Sequence, residues 1–234
     1  MINIKALVLS AGFGKRLEPL TKETPKCLIE IKGIPMLIRW FKKLQFLEIK
    51  DILVNTHYLS HKVESAIKKY DLGLNINLIY ENILLGTAGT LKKNLSFFED
   101  SDGALIIHCD NFTNDDLIGF MQFINKNKNY ICILAFYTSK PLECGILEID
   151  KNDFVRKIFE KSSSTNGNLA NGAIYYFPKA ILSQMHFDKK NIGEDIVNDI
   201  LLNFIGKIKC YKTSNFFIDI GNIENLKVAK RNAK

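Results

Sequence analysis

The chain has 234 residues, of which 47% are hydrophobic, and this is sufficient for one sizeable core, so we expect a single domain over residues 1–234. Its formal charge of +7, from 32 lysines and arginines against 25 acidic residues, suits an anionic ligand. The lysines are scattered rather than gathered in a stripe, which argues against nucleic acid as the partner, and five widely spaced cysteines without a C-x-x-C pair indicate neither a zinc site nor a disulfide framework.

An apolar strand pattern near the start of the chain leads into a glycine turn that carries several cations. Glycine can adopt left-handed backbone angles and lets a ligand approach closely, so the N–H groups of such a turn can face an anion. The cations around the turn carry enough charge for a triphosphate. We therefore predict a phosphate-binding loop, in preference to an ordinary strand turn with solvated lysines. Its residues are Gly12, Gly14, Lys15 and Arg16, with Lys26 a little further along the chain.

Two better-known phosphate loops do not fit this segment. The dinucleotide-binding fingerprint needs a third glycine where Leu17 stands, and a helix that runs straight on from the turn, which two prolines interrupt. The Walker A loop needs serine or threonine after its Gly-Lys pair, whereas Lys15 is followed by Arg16. A dehydrogenase and a P-loop enzyme are therefore disfavoured.

The rest of the chain alternates strand and helix patterns, which is typical of an α/β fold with a doubly wound, mostly parallel sheet. After about residue 125, closely spaced strand patterns indicate a small added sheet over one side of the ligand pocket. The predicted strands are residues 6–10, 51–55, 75–80, 104–108, 131–137, 144–149, 155–159, 173–177 and 207–211. The predicted helices are residues 36–47, 60–70, 91–98, 195–204 and 223–230.

Polar residues follow several predicted strands, and in open parallel sheets ligands bind beyond the carboxyl ends of the strands. Asp110 and Asp219 each follow an apolar run. They are the natural pair for Mg²⁺, which prefers carboxylates together with phosphate oxygens and water. An isolated aspartate after a strand is, however, more often a turn former or a helix cap. The residues expected to converge at the sheet edge are Gly12, Asn55, Glu81 and Asp110.

The segment L-G-T-A-G-T at residues 85–90 lies between a predicted strand and a predicted helix. Its small residues would let a flat base lie against the backbone and be read by N–H and C=O groups, and the helix N-terminus would favour negative charge. The alternative is a helix-capping turn with Thr90 as the N-cap.

The pattern A-G-F-G-K-R-L-x-P-L-T-x-x-x-P-K over residues 11–26 resembles the signature of the sugar-1-phosphate nucleotidyltransferases, with Lys15 where that family usually has threonine. Further matches follow in the family's order as far as Gly221. The resemblance implies a Rossmann-like, GT-A-like nucleotidyltransferase fold. It also implies that an NTP and a sugar 1-phosphate condense to an NDP-sugar and pyrophosphate, with Mg²⁺ as the cofactor. The attack on the α-phosphate would be in line and would need no side-chain nucleophile.

The resemblance assigns a role to each motif. Arg16 and Lys26 would hold the NTP phosphates, the G-T-A segment would bind the base, and Asp110 and Asp219 would bind Mg²⁺. Phe217 stands where the family's W-x-D-x-G motif has tryptophan. The implied catalytic residues are Arg16, Lys26, Asp110 and Lys161. The implied nucleotide-binding residues are Ala11, Gly12, Gly14, Lys15, Asn55, Gly86, Thr87 and Ala88.

Three further segments resemble the family's sugar-phosphate site. Glu160 would hydrogen-bond sugar hydroxyls and Lys161 would grip the sugar phosphate, as in the family's E-K-P segment. Asn171 matches an asparagine that contacts the sugar, and Gly145 matches a glycine that packs under the ring. Taken alone, the Glu-Lys pair also fits a surface salt bridge, and Asn171-Gly172 also fits a hairpin turn.

The short length and the segments V-N-T-H and C-D-N resemble the short guanylyl- and uridylyltransferases of cell-surface sugar pathways, and mannose-1-phosphate guanylyltransferase-like proteins in particular. We therefore expect GTP and a mannose- or heptose-type sugar phosphate as the small-molecule partners. Uridylyl, thymidylyl or cytidylyl transfer to a sugar or alcohol phosphate stays open, as does a non-catalytic nucleotide-sugar-binding subunit. Because there is no leader and no apolar run near the ~18 residues that span a bilayer, we expect a cytoplasmic protein without a membrane partner; a homodimer is left open.

Overall fold

The computed structural model describes residues 2–160, 167–188 and 192–233. Over these residues the chain is mixed α/β, with one large sheet and two two-stranded sheets, which confirms the predicted fold class. None of the helices in these ranges is long and apolar enough to cross a membrane. The strands are β1 (Ile4–Leu9), β2 (Glu30–Ile31), β3 (Ile34–Pro35), β4 (Asp51–Thr56), β5 (Asn75–Tyr80), β6 (Gly103–His108), β7 (Asn111–Thr113), β8 (Ile131–Tyr137), β9 (Gly145–Ile149), β10 (Val155–Glu160), β11 (Leu169–Pro178), β12 (Ile208–Thr213) and β13 (Phe217–Asp219). The helices are α1 (Met36–Phe46), α2 (Ser60–Lys68), α3 (Gly86–Lys93), α4 (Ile118–Lys126), α5 (Lys179–Leu182), α6 (Ile196–Asp199) and α7 (Ile223–Asn232).

The chain packs as two compact units, each assembled from segments that are separated in sequence. The amino-terminal unit comprises Lys5–Leu84, Ile107–Leu117 and Phe216–Lys234. The central unit comprises Met1–Ile4, Leu85–Ile106 and Ile118–Asn215. Neither unit is one continuous stretch of sequence, and the single domain over residues 1–234 stays a prediction.

The amino-terminal unit contains three parallel strands in the order β1-β4-β5. Ala6 of β1 lies opposite Ile52 of β4, which in turn lies opposite Ile76 of β5. The middle of β1 and of β4 is buried, which is why both strands appear in the sequence as nearly continuous apolar runs. Helix α1 precedes β4 in the chain. It buries one apolar face, as the spacing of its apolar residues predicted. The buried residues of α1 are Met36, Leu37, Ile38, Trp40, Phe41 and Leu44.

A small antiparallel ladder in the same unit joins two segments that are far apart in sequence. Strand β13 pairs with β7, and Asp219 lies opposite Asn111. The Thr113 hydroxyl donates a hydrogen bond of 2.9 Å to the carbonyl of Phe216, across a separation of 103 residues. The sequence patterns did not predict this ladder, because strands of three residues are too short to show a periodicity.

The central unit is rich in strands, as predicted for the region after residue 125. Strand β8 pairs antiparallel with β11 and parallel with β12, while β9 pairs antiparallel with β10 and β11. The register of β11 on β8 shifts between Asn171 and Tyr175, where Ala173 has a φ of 49°. Asn171 and Gly172 therefore lie inside a bulged strand, and the hairpin-turn alternative for this pair is wrong.

Two helical segments differ from the prediction. The G-T-A segment was expected as a loop, but it forms the first turn of α3. Thr90 lies inside that helix, with its hydroxyl 2.9 Å from the carbonyl of Gly86, so the N-cap alternative is wrong. The helix expected at residues 195–204 is only the short α6, because Ile200 leaves helical angles with a φ of −123° before a 3₁₀ turn follows. The β-branched residues of this segment have low helix propensity and favour the interruption.

Candidate active site

The glycine loop after β1 is shaped mainly by one of its glycines. Gly14 has a φ of 68°, and a Cβ atom there would lie 2.9 Å from Cγ2 of Thr21 and 3.1 Å from Cβ of Lys26. Its carbonyl accepts hydrogen bonds from the Thr21 hydroxyl at 2.9 Å and from the Leu17 N–H at 2.8 Å. Gly12 has no atom within 4 Å of its Cβ direction and is not left-handed, so only Gly14 requires glycine for the fold. The space beside Gly12 is open to a ligand.

No continuous helix follows the loop, as its prolines predicted. The segment instead forms short 3₁₀ turns, and the last of them carries Lys26, which contacts Asp110. Tyr58 holds this segment by donating from its hydroxyl to the carbonyl of Lys22 at 2.8 Å, and Lys62 donates from Nζ to the carbonyl of Glu23 at 2.5 Å. Tyr58 lies just before α2 and Lys62 lies within it, and neither hydrogen bond was predicted from the sequence. The 3₁₀ turns are Lys15–Leu17, Leu20–Lys22 and Lys26–Leu28.

The two aspartates predicted as a pair meet in the amino-terminal unit. Asp110 follows β6 and Asp219 ends β13, and the β7–β13 ladder brings the two segments together. The Lys26 ammonium donates a hydrogen bond to Oδ2 of Asp110 and lies 3.8 Å from Oδ1 of Asp219. Side-chain exposure is 13% for Lys26 but 30% for Asp110 and 50% for Asp219, so the carboxylates remain accessible to solvent and to a ligand.

Arg16 adds a second cation beside this pair. A Cβ atom at Gly221 would lie 2.9 Å from Nη2 of Arg16 and 2.9 Å from Oδ2 of Asp219. The glycine of the F-I-D-I-G segment therefore leaves the space in which guanidinium and carboxylate approach each other. We call Arg16, Lys26, Asp110 and Asp219 the charge cluster.

The pKa values of the two carboxylates move in opposite directions. Burial raises the pKa of Asp110, but the charges of Lys26 and His108 and the hydrogen bonds to the carboxylate outweigh it, so the pKa lies below its ordinary value. Burial and the charge of Asp110 raise the pKa of Asp219, against the opposing effects of Lys26, Arg16 and the Gly221 N–H. The Lys26 ammonium thus interacts with both carboxylates and stabilises the charge of Asp110 more than that of Asp219.

The donor set of the charge cluster fits Mg²⁺. It offers two carboxylates at one solvent-accessible place, and Mg²⁺ typically binds one or two carboxylates and completes its shell with water and phosphate oxygens. In the part of the chain that the structure describes, no group of three or more histidine, cysteine or acidic side chains is placed to hold a metal by itself. The geometry therefore fits a metal that is shared with a phosphate ligand better than a closed structural site.

Asn55 holds the carboxyl ends of the parallel strands together. The residue is 4% exposed. Its side-chain Oδ1 accepts from the Ser10 N–H at 2.8 Å, and Nδ2 donates to Oε1 of Glu81 at 3.1 Å. The Ser10 hydroxyl donates to the Asn55 carbonyl at 2.5 Å. The predicted convergence of Asn55 and Glu81 is thus seen, and both ends of the Asn55 amide already have partners within the protein. Nucleotide binding by Asn55 stays a prediction.

In the central unit, the G-T-A segment is supported by residues 193–195 and by the first residue of α6. A Cβ atom at Gly86, whose φ is 77°, would lie 2.2 Å from the carbonyl oxygen of Glu194, and that oxygen accepts a hydrogen bond of 3.1 Å from the Ala88 N–H. The Glu194 carboxylate accepts from Nζ of Lys92 at 2.6 Å. The Thr87 hydroxyl accepts from the Ile196 N–H at 2.8 Å. No sequence pattern indicates this support, because the residues that provide it lie more than 100 positions further along the chain.

The predicted sugar-site residues of the central unit lie on neighbouring strands. A Cβ atom at Gly145 would lie 2.3 Å from Oε1 of Glu160, so the glycine makes room for that carboxylate. Asn171 donates from Nδ2 to the Tyr175 hydroxyl at 2.9 Å, and its Oδ1 accepts from the Ala173 N–H at 2.9 Å. Tyr175 was not singled out from the sequence, where it reads only as an apolar strand residue. Lys161, predicted to grip the sugar phosphate, lies outside the described residues.

Comparison with known proteins decides the family. The sequence profile described as Nucleotidyl transferase matches residues 5–234. The chain belongs to the nucleotidyl transferase family. It is 27% identical over 218 residues to the D-glycero-alpha-D-manno-heptose 1-phosphate guanylyltransferase of Campylobacter jejuni, covering 93% of this chain and 95% of the relative. It is 24% identical over 221 residues to the mannose-1-phosphate guanylyltransferase catalytic subunit beta of Dictyostelium discoideum, covering 93% of this chain.

This nucleotidyl transferase spans 61% of the length of the Dictyostelium discoideum relative. It spans 60% of the length of a putative mannose-1-phosphate guanyltransferase of Sulfolobus acidocaldarius, to which it is also similar. It is also similar to a solved structure, HddC from Yersinia pseudotuberculosis complexed with GMP-PN, with a TM-score of 0.81, 26% identity and full coverage of both chains. The family assignment and the α/β fold are therefore confirmed, while the roles of the single site residues stay predictions.

Within the amino-terminal unit of this nucleotidyl transferase, the sequence-predicted residues form one group. The glycine loop, Arg16, Lys26, Asp110 and Asp219 are held together by β1, the segment that starts at Ile107, and the β7–β13 ladder. The sequence analysis missed Tyr58 and Lys62, which hold the loop segment, and it gave Gly221 no role beyond the end of the motif matches. Only Gly221 had a usable signal, since it ends the segment that carries Asp219.

Proposed function

We propose that the chain transfers a nucleotidyl group from GTP to a sugar 1-phosphate, giving a GDP-sugar and pyrophosphate. The observation that carries the proposal is the charge cluster, in which the Lys26 ammonium lies between the carboxylates of Asp110 and Asp219 beside a glycine loop with an open side. Cations next to paired carboxylates are the groups that phosphoryl-type transfer between polyanions needs.

In this proposal the protein positions charges and does not supply a nucleophile. A sugar-phosphate oxygen forms a bond to the α-phosphorus of GTP, the bond from that phosphorus to the bridging oxygen breaks, and pyrophosphate leaves with the electron pair. The phosphate oxyanion is already nucleophilic at neutral pH, so no general base is required. Mg²⁺, when bound by Asp110 and Asp219, would neutralise charge on the phosphates. Arg16 and Lys26 would hold the NTP phosphates, and the backbone near Gly12 would approach them closely.

For the acceptor, we propose that Lys161 holds the sugar phosphate and that Glu160 and Asn171 bind ring hydroxyls. The preference for GTP and for a mannose- or heptose-type sugar is supported by the names of the relatives, which are guanylyltransferases for mannose 1-phosphate and for a manno-heptose 1-phosphate. The space that Gly145 leaves beside the Glu160 carboxylate supports a role for that carboxylate in binding hydroxyl groups.

The test is a pyrophosphate-release assay with GTP, UTP, CTP and dTTP, each combined with mannose, glucose and manno-heptose 1-phosphates in the presence of Mg²⁺. We expect the highest kcat/KM with GTP and one of the two manno-configured acceptors. Turnover with another NTP would retain the reaction class and overturn the preference for GTP. Binding of GTP without pyrophosphate release from any combination would instead support a non-catalytic nucleotide-sugar-binding subunit.

A further inference from the structure

The only tryptophan of the sequence is buried next to the charge cluster and makes one polar contact there. Trp40 lies on α1, is 1% exposed, and donates from Nε1 to the carbonyl of Cys109 at 3.2 Å. Cys109 is the residue immediately before Asp110. The indole has a single N–H and accepts nothing, so the packing of its ring fixes the direction of this hydrogen bond.

The backbone that carries Asp110 is held at three points by three different elements. The Cys109 N–H donates to the carbonyl of Leu9 in β1 at 3.0 Å, and the Cys109 carbonyl accepts from Trp40. The Asp110 carbonyl accepts from the N–H of Ile220 at 2.9 Å, directly after β13. The bond that Leu9 accepts and the bond that Ile220 donates continue the pairing of neighbouring strands. The bond from Trp40 comes from a helix and is the one that a side-chain substitution can remove.

We propose that Trp40 is a positioning residue for Asp110: its N–H fixes the Cys109–Asp110 peptide and thereby the direction in which the Asp110 carboxylate faces a metal ion. This rests on the proposed function, in which Asp110 and Asp219 bind Mg²⁺. Residues that orient a metal ligand through a hydrogen bond commonly change metal affinity about 10-fold or more when the bond is lost. A purely structural role would change the unfolding temperature and leave metal affinity unaltered.

The experiment compares Trp40→Phe with Tyr176→Phe as a matched control. Tyr176 is also a buried aromatic residue whose polar atom donates to a backbone carbonyl, that of Lys128 at 3.2 Å, but it belongs to the central unit. Mn²⁺ binding to each protein is measured by electron paramagnetic resonance with GTP present and without sugar phosphate, so that no turnover occurs, together with the Mg²⁺ dependence of pyrophosphate release and the unfolding temperature.

We expect Trp40→Phe to weaken Mn²⁺ binding about 10-fold and to raise the Mg²⁺ concentration for half-maximal rate by a similar factor, with a much smaller change in kcat at saturating Mg²⁺. Tyr176→Phe should change neither metal measurement. Unaltered Mn²⁺ affinity in Trp40→Phe, or an equal shift in both variants, would overturn the proposal.

A second replacement keeps the test decisive if Trp40→Phe does not fold. Benzothienylalanine at position 40 retains the two-ring volume and lacks only the N–H donor, so it should reproduce the loss of Mn²⁺ affinity; wild-type affinity in that protein would overturn the proposal. Mn²⁺ binding needs no turnover, and the result is therefore separate from the assay of the proposed reaction. A wild-type protein that binds Mn²⁺ but releases no pyrophosphate contradicts the reaction alone.

Discussion

Lys26 is the ammonium that both carboxylates of the charge cluster share, and its side chain is only 13% exposed. Removing it leaves two carboxylates facing each other, while removing the charge of Asp110 leaves the ammonium with the more distant Asp219. Because both aspartates retain 30% or more of their side-chain exposure, solvent can screen the charge that remains, and we expect the fold to survive either change.

We therefore expect Lys26→Ala and Asp110→Asn each to lower pyrophosphate release about 100-fold or more, with an unfolding temperature close to that of the wild type. The control is Lys68→Ala, which breaks an exposed ion pair with Glu64 in α2 of the same unit and should leave the rate unchanged. Full activity in either cluster variant would contradict the proposed roles.

The two glycines of the loop give a matched pair of substitutions. Gly14→Ala places a methyl group 2.9 Å from Thr21 Cγ2 on a backbone with a φ of 68°, so we expect it to destabilise the fold by more than about 1 kcal/mol. Gly12→Ala meets no protein atom within 4 Å, and its stability should change by less than about 0.5 kcal/mol. If the open side of Gly12 faces the NTP phosphates, Gly12→Ala should nevertheless raise the KM for GTP. Urea unfolding and steady-state kinetics on both variants check this, and equal losses of stability would contradict it.

At the scale of secondary structure elements, the first turn of α3 depends on its contact with residues 193–195. Gly86 and Gly193 both have left-handed angles, with φ of 77° and 87°, but only Gly86 has a backbone oxygen 2.2 Å from its Cβ direction. Both alanine variants share the cost of the unfavourable angle, more than about 1 kcal/mol, and only Gly86→Ala must also displace the Glu194 carbonyl.

We therefore expect Gly86→Ala to be the less stable of the two variants in urea unfolding, and to lose GTP affinity because the G-T-A segment shifts. Gly193→Ala should lose stability alone. Equal unfolding midpoints would show that the 193–195 segment moves freely, contrary to the contacts with Ala88 and Lys92.

Long elements with a clear period could be predicted from the sequence, and short ones could not. The strand at residues 75–80 and the start of α1 at Met36 were predicted correctly, because six to eleven residues show their periodicity. The β7–β13 ladder has three residues on each strand, so the pairing of Asp219 with Asn111 follows only from the tertiary fold. The α3 boundary was wrong because glycine and threonine, which have low helix propensity, outnumber the single alanine in residues 86–90.

The candidate site was predictable where a motif carried it. The motif over residues 11–26 and the aspartates after apolar runs were sufficient to place the charge cluster. The supporting contacts were not predictable: Tyr58 donates to Lys22 and Asn171 donates to Tyr175, and neither partner has a sequence pattern that distinguishes it from an ordinary aromatic residue. Such contacts depend on side-chain packing in the tertiary structure, and packing of this kind leaves no periodic pattern in a single sequence.

The five cysteines are distributed over both units, so their reactivity tests how well each part of the core excludes solvent. Cys27, Cys109, Cys132 and Cys210 are buried, whereas Cys144 is half-buried. Burial raises the pKa of Cys27, Cys132 and Cys210 to about 12 and raises the pKa of Cys109 well above its usual range, so all four hold their protons at pH 8.

Because the thiolate is the reactive form, we expect Cys144 alone to react rapidly with Ellman's reagent in the native protein, and all five thiols to react after unfolding in guanidinium. Cys144→Ser should remove the fast phase. A second rapidly reacting thiol in the native protein would mean that one of the four buried positions is accessible.

The order of segments in the amino-terminal unit has a consequence for how a newly made chain matures. The glycine loop, Lys26 and Asp110 all precede Leu117, but Asp219 belongs to Phe216–Lys234, after the whole of Ile118–Asn215 has intervened. A nascent polypeptide that has reached residue 215 on the ribosome therefore contains one aspartate of the pair and lacks both its companion and strand β13. If Asp110 and Asp219 bind one metal ion together, as proposed, the site with two carboxylates can therefore assemble only after translation has supplied that late segment.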